Sequence, residues 1–435
     1  MKRWHKRMML IVLVLILAFA AGCSNNGGNE GTGNSGKTND GASNSGGDSK
    51  SGGTQDLLFW TPFSGADGVF MKDMVEKYNA SQDDYNVKFI VQPSGEFYKL
   101  LDVALSTGGK ESPNLMIMHV DQIPTYVSKD QLQPIDDIAA GAGLNKTDFV
   151  EAPIEYSTID GKWYGIPLDI HPLVMYYNKD LFEKAGIANA PTNRAEFDDA
   201  VAKLTDKASG TYGYVVPTLW PQQFLFPTLV WQNGGELWDG KDVAYNSPQA
   251  VEMVEYLRSL IDKGISPANV QQDGENTLFL QGKNAIQFNG PWMKGQFDEA
   301  GMNFGVAAMP QLGKVKQAVF AGSHSFAIPK NVTDAAVKEG IGSFLKYVSE
   351  NSLDWAASGQ ALASTAMLES AEFKALPQSK IADSFSYVQF APNVLNWPTI
   401  SDPIWGELSS ALLGDKPVQQ ALDDAVAKSR QAMNK

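Results

Sequence analysis

Residues 283–295 read KNAIQFNGPWMKG. Four of them, Ala285 to Phe288, form a short apolar run suited to a buried strand. Asn289-Gly290-Pro291 is turn chemistry, and a tryptophan follows at once. Pro291 suits the first turn of a helix, where its missing N–H costs nothing. Trp292 is therefore expected near a helix N-terminus, at the carboxyl end of a strand. In open α/β sheets that edge is where ligands bind.

The same alternation runs through the chain. LLFW (57–60), VKFIV (87–91) and LMIM (115–118) read as strands. Between them, VFMKDMVEKYN places Phe70, Met74 and Tyr78 on one helical face. EFYKLLDVALSTGG turns Phe97, Leu100, Leu101, Ala104 and Leu105 inward and ends at glycine. Strand–helix–strand–helix–strand predicts a parallel sheet with right-handed crossovers. A second block in the same style begins after Pro167. Its helix from Pro248 to Lys263 turns Val251, Val254, Leu257 and Ile261 inward, with Gly264 as cap. A last helix opens at Pro417.

At 435 residues the chain has room for two or three domains of about 150 residues each. It is 43% hydrophobic and 19% charged, with a formal net charge of −14. That balance argues against nucleic acid, whose footprint is a basic patch. Beyond the N-terminal segment the only arginines are Arg194, Arg258 and Arg430, all in stretches that read as helical surface. Guanidinium forks for phosphate or carboxylate are thus scarce.

The N-terminus, MKRWHKRMMLIVLVLILAFAAGC, has a basic start, a long apolar run and small residues before the single cysteine, Cys23. Residues 1–22 read as a signal peptide. Ala-Gly-Cys resembles the bacterial lipobox, which implies lipid attachment at Cys23, although Ala20 stands where that motif usually has leucine. AFA (18–20) is an alternative cleavage site. One cysteine allows no internal disulfide. Residues 24–55 are almost entirely small and polar, a composition that forms no core and suits a flexible tether.

Four motifs in order carry a family resemblance. They are FWTPFSGADG (59–68), GKWYGIPLDIHPLVMYYNKDLFEKAGI (161–187), FLQGKNAIQFNGPW (279–292) and GSHSFAIPK (322–330). The chain from Leu57 onward resembles the family 1 extracellular solute-binding proteins of bacterial ABC importers, in style closest to the maltose- and oligosaccharide-binding members. The resemblance implies a two-lobed, type II periplasmic-binding-protein-like α/β fold with the ligand in the inter-lobe cleft. It implies an N-terminal lobe of 57–168 and 321–372 and a C-terminal lobe of 169–320 and 373–435. Residues 23–56 would be the lipidated tether. The partners implied are a sugar or oligosaccharide and the ABC permease subunits. A monomer is expected on the extracellular face of the membrane, as in a Gram-positive bacterium. Asn114 departs from the family, which commonly has aspartate there; the effect is expected at a strand start.

A neutral sugar needs aromatic faces for its C–H surfaces and groups that pair its hydroxyls. The aromatic candidates are Trp60, Phe63, Trp292, Trp397 and Trp405. The polar candidates are Ser64, Asp67, Asp121, Asp169, His171, Asn289 and His324. Trp60 could equally be core, and Asp67 could merely cap a helix. Trp220 and Trp231 flank PQQFLFPTLVWQNGG (221–235), which resembles the second lobe's aromatic helix; Trp231, in an apolar run, reads as core. His119, His171 and His324 each fall in a crossover or strand-end motif. His171 stands where maltose-binding relatives have a ligand glutamate, so a different ligand is implied. No metal or other cofactor is expected: a metal would need the three histidines to converge, and no H-x-x-x-H or H-E-x-x-H spacing brings them together.

Two other functions compete. The carboxylates Asp67, Asp121 and Asp169 could serve a glycoside hydrolase, but their loops resemble the binding family. There is no Gly-x-Ser-x-Gly, P-loop or dinucleotide fingerprint. The same fold could bind glycerol phosphate or a peptide, against which the dearth of arginine speaks.

Overall fold

The computed structural model describes residues 54–434. Cys23, the signal peptide and nearly all of the tether lie outside these residues. The described chain builds two sheet-centred lobes joined by crossing strands.

The first sheet runs in the order 85–91, 55–61, 115–119, 324–327, 166–167. Its first three strands are parallel, as the strand–helix alternation predicts. The strand His324–Ala327 returns antiparallel to Leu115–His119, with His324 opposite His119. The second sheet runs 304–308, 174–178, 284–289, 212–214. All six residues of Asn284–Asn289 are buried. This strand lies antiparallel to Val174–Asn178 and parallel to Tyr212–Tyr214.

A third sheet ties the two together. Its central strands, Asp169–Pro172 and Val319–Gly322, are antiparallel and pair His171 with Gly322. Asp169–Pro172 runs directly from the first sheet into the second, and Val319–Gly322 leads into the first sheet after a loop of residues 309–318. Asp169–Pro172 lies inside the 161–187 motif and Val319–Gly322 leads into the 322–330 motif, which is why the crossovers are legible in sequence.

Apolar alternation decides the packing. In Gln55–Thr61, Leu57 and Phe59 face one core with Met71, Met74 and Phe344. Trp60 points to the opposite face, among Phe97, Leu101, Met116 and Met118. The second lobe's core gathers Phe197, Tyr214, Leu229, Met253, Phe288 and Leu408.

Two helical faces differ from expectation. In Asp67–Ser81 the buried stripe is Met71, Met74, Val75 and Tyr78, while Phe70 is only half-buried. An i, i+3, i+4, i+7 stripe centred on Met71 buries more apolar surface than the i, i+4, i+8 row through Phe70. In Phe97–Thr107, Phe97 and Leu101 are buried but Leu100 is exposed. That helix stops at Gly108, whose φ of +58° is the left-handed cap expected. Asn114 acts at a strand start, accepting the Leu58 N–H at 2.8 Å.

One buried carboxylate has a consequence for stability. Glu275 is 1% exposed and its Oε1 has no hydrogen-bond partner. Burial pushes its carboxyl up from 4.5 to about 7. Between those values the unfolded chain releases a proton that the native protein keeps, so this group lowers stability as pH rises through that window. Glu275→Gln is expected to stabilise the protein at pH 8 by roughly 2 kcal/mol and to leave it unchanged near pH 4. Thermal melts at the two pH values check this; equal shifts at both would refute the assignment.

Candidate functional site

A cleft of about 900 Å³ opens where the crossing strands meet the first ligand loop and the Gly290-Pro291 turn. One wall is aromatic. The Trp292 indole stands 5.4 Å from the Phe224 ring and 6.2 Å from Trp220 by ring centroids. It is half-buried, so one part of its surface remains open to the cleft. The helix itself runs from Met293 to Glu299 with Trp292 as its N-cap. Pro291 therefore sits in the preceding turn rather than in the first helical turn. The indole folds back over Gly290, where a Cβ would come within 2.0 Å of the ring. Glycine at 290 is thus required by the approach of the ring. The Tyr176 hydroxyl lies 3.1 Å from the carbonyl oxygens of both Gly290 and Pro291 and steadies the turn.

The opposite wall is polar. Ser64 is exposed and Asp67 opens the helix Asp67–Ser81 at the cleft edge. Burial raises the Asp67 carboxyl above its usual range, with the His324 ring opposing and Asp169 adding to the rise. Phe63 is buried and packs edge-on to His324 at 4.8 Å and tilted against Trp355 at 4.9 Å.

The floor is formed by His119, His171 and His324, all lining the cleft. The three histidines do converge, contrary to the sequence reading. Strand register does this: His119 faces His324 across one ladder, and His171 faces Gly322, two residues before His324. Beneath them Asp169 is fully buried. Its Oδ1 accepts from His171 Nδ1 at 3.0 Å and the His324 backbone N–H at 3.0 Å. Its Oδ2 accepts from His324 Nδ1 at 2.8 Å and Trp355 Nε1 at 2.8 Å. Burial alone would raise this carboxyl, but the attraction and hydrogen bonds of the two histidines outweigh it and hold it far below the usual range. Burial, then repulsion from His324, depresses His171 below its ordinary value, with Asp169 opposing. His119 is depressed further, by burial and by both other rings.

The remaining candidates separate. Asp121, Trp397 and Trp405 line a neighbouring cavity of about 290 Å³, together with Gln223, Phe320 and Ser401. Phe224, on the first cleft, packs edge-on to Phe320, on the second, at 4.9 Å. Burial pushes the Asp121 carboxyl up to about 6.

Three candidates face neither cavity. Trp60 is 8% exposed and belongs to the core on the far face of its sheet. Asn289 is 1% exposed and spends its Oδ1 on the Gly290 N–H at 2.8 Å, which shapes the turn. Asp169 acts on the histidines from below. Trp231 is core, stacked on Phe320 at 6.0 Å. Conversely, Trp220, Phe224 and His119 line the cleft although none was among the chosen candidates. The aromatic helix motif held the signal for the first two.

The profile of the bacterial extracellular solute-binding protein family matches residues 63–352. The chain belongs to that family. It is 26% identical over 363 residues to a maltooligosaccharide ABC transporter solute-binding lipoprotein of Streptococcus pneumoniae, covering 81% of this chain and 84% of that one. It is 23% identical over 389 residues to a galactooligosaccharide-binding protein of Bacillus subtilis, covering 86% and 89% respectively. Among solved structures, the GacH receptor of Streptomyces glaucescens superposes with a TM-score of 0.78 at 22% identity, covering 88% of this chain and 99% of that one. The fold is that of the two-lobed maltose-binding type.

Proposed function

We propose that this chain captures a neutral oligosaccharide between its lobes and delivers it to the permease of an ABC importer. One observation carries the reading. Trp292, Phe224 and Trp220 present aromatic surface across the cleft from Asp67, Ser64 and the histidines, and among the described residues no lysine or arginine lines that cleft. Aromatic surface suits the C–H face of a sugar ring, while carboxylate and imidazole suit its hydroxyls. A phosphorylated or carboxylated ligand would find no lysine or arginine to pair with. The names of the relatives, which bind maltooligosaccharide and galactooligosaccharide, support the same class.

In this reading residues 57–168 and 321–372 form one lobe, and 169–320 and 373–435 the other. Closure about the crossing strands clamps the sugar. Cys23 carries the lipid that holds the protein at the outer face of the membrane, as a monomer. Among the described residues no helix is long and apolar enough to cross a membrane. Mass spectrometry of the native protein should find a lipid-bearing peptide beginning at Cys23; a soluble form beginning at Ala21 would overturn the anchor.

A thermal-shift panel of neutral oligosaccharides, glycerol phosphate and peptides tests the ligand class. A neutral oligosaccharide at about 100 times its Kd should stabilise the protein by about 2.7 kcal/mol. Chromatography should return that sugar unchanged. Stabilisation by the anion or peptide alone, or cleavage of the sugar, would overturn the reading.

A further inference from the structure

We propose that His119, His171 and His324 form a site for a single divalent transition-metal ion, with zinc the best fit, on the floor of the cleft. Each ring offers one nitrogen, and the three nitrogens all lie within 4.8 Å of one another. A tetrahedral zinc at about 2.0–2.1 Å from each nitrogen needs them about 3.4 Å apart, so binding would draw the three rings together.

The hydrogen bonds to Asp169 fix which nitrogen His171 and His324 present. The Nδ1 atoms of His171 and His324 are held by the two oxygens of Asp169 at 3.0 and 2.8 Å. The same carboxylate accepts the backbone N–H of His324 and the Trp355 indole N–H, so it is surrounded by donors and acts as acceptor. Both rings therefore carry their proton on Nδ1 and turn the lone pair of Nε2 away from Asp169. The Nδ1 of His119 lies 2.8 Å from the Tyr98 hydroxyl. That oxygen also accepts the His119 backbone N–H at 2.8 Å; with a metal on Nε2, the His119 ring would carry its proton on Nδ1 and donate it to the same oxygen. Each histidine thus has a polar partner at Nδ1, so Nε2 is the nitrogen each would offer an ion. Such buttressing of a histidine by a carboxylate or other polar group orients the ring for a metal and raises its basicity.

Two further features fit. A Cβ at residue 322 would lie 2.2 Å from His171 Nε2, so only glycine at 322 leaves room for that nitrogen. All three rings line the cleft, so an ion bound there keeps a fourth position open to water or to a ligand hydroxyl. The ligands are imidazoles without thiolates, a set that suits zinc, copper or nickel over magnesium or calcium. The site requires no assumption about the sugar, and it is tested in the sugar's absence.

Tag-free protein dialysed against chelator is titrated with Zn²⁺ by calorimetry and with Co²⁺ by visible absorption. One Zn²⁺ per chain should bind, and Co²⁺ should develop the intense d–d bands of a tetrahedral site. His119→Gln is the informative variant, because it removes one imidazole while leaving an amide able to bond the Tyr98 hydroxyl, and leaves Asp169 with all its partners. It should keep the metal-free melting temperature and bind Zn²⁺ about 100-fold more weakly, at least as large a loss as removing a buttressing group. Replacing both His119 and His324 by glutamine should abolish binding. Absence of stoichiometric Zn²⁺ binding, or affinity unchanged in His119→Gln, would overturn the site. Octahedral Co²⁺ spectra would also overturn it, since they would place the ion on scattered surface carboxylates.

Discussion

Asp169→Ala is expected to lower folding stability by about 3–5 kcal/mol, the cost of removing one partner from a buried charged network. Melting temperature should fall by roughly 6–20 °C, at about 2–4 °C per kcal/mol for a domain of this size. The carboxylate is fully buried and accepts four hydrogen bonds, from two imidazoles, a backbone amide and an indole. Alanine leaves those four donors unpaired in the interior, where each unsatisfied group costs about 1–3 kcal/mol before relaxation. The residue also opens a crossing strand, so the loss falls where both lobes are tied together. Asparagine at this position would keep the shape and one acceptor oxygen but would set an NH₂ against two donors, so Asp169→Asn should lie between. A thermal melt of Asp169→Ala within about 2 °C of wild type would refute the hub.

Trp292→Ala is expected to weaken sugar binding by about 2–3 kcal/mol, or roughly 30- to 150-fold. Aromatic contact contributes about 0.5–1.5 kcal/mol beyond area burial, and the burial itself about 1–2 kcal/mol more. The ring is aimed before the ligand arrives: Gly290 lies under it, Tyr176 holds the turn, and His171 packs edge-on at 5.8 Å. Little ordering entropy remains to be lost on binding. Phenylalanine should retain most of the affinity because it keeps a face. Gly290→Ala should reproduce much of the loss, since its Cβ displaces the indole without removing it. Half-burial means the ligand-free alanine variant should melt near wild type. Calorimetry and melting of the same variant separate the two outcomes: an unchanged Kd, or collapse of the ligand-free fold, would place Trp292 in the core instead.

What the sequence made legible follows from how local the signal is. The strand–turn–aromatic unit at 284–292 needed only an apolar run, a turn and a helix start, all contiguous. The crossing strands were legible because their motifs are contiguous too. Trp60, Asn289 and Asp169 were misplaced because sequence shows a residue at a strand end but not which face it takes or what it satisfies. Trp60 alternates onto the core face, and Asn289 and Asp169 are consumed by neighbouring donors. Phe224 was hidden in FLFPTLVW, an apolar run on a helix buried almost all round, whose open side periodicity cannot reveal. The histidine cluster had no local signature. Its members come from three strands of two sheets, and only the register of His119 with His324 and of His171 with Gly322 assembles it.

Occupation of the cleft by a neutral sugar against Trp292 is tested most directly by a crystal structure of the protein with the oligosaccharide that gives the largest thermal shift. One sugar ring is expected in van der Waals contact with the Trp292 indole, with its hydroxyls paired to Asp67 and the histidine floor. Sugar found only outside this cleft, with Trp292 free of it, would contradict the account.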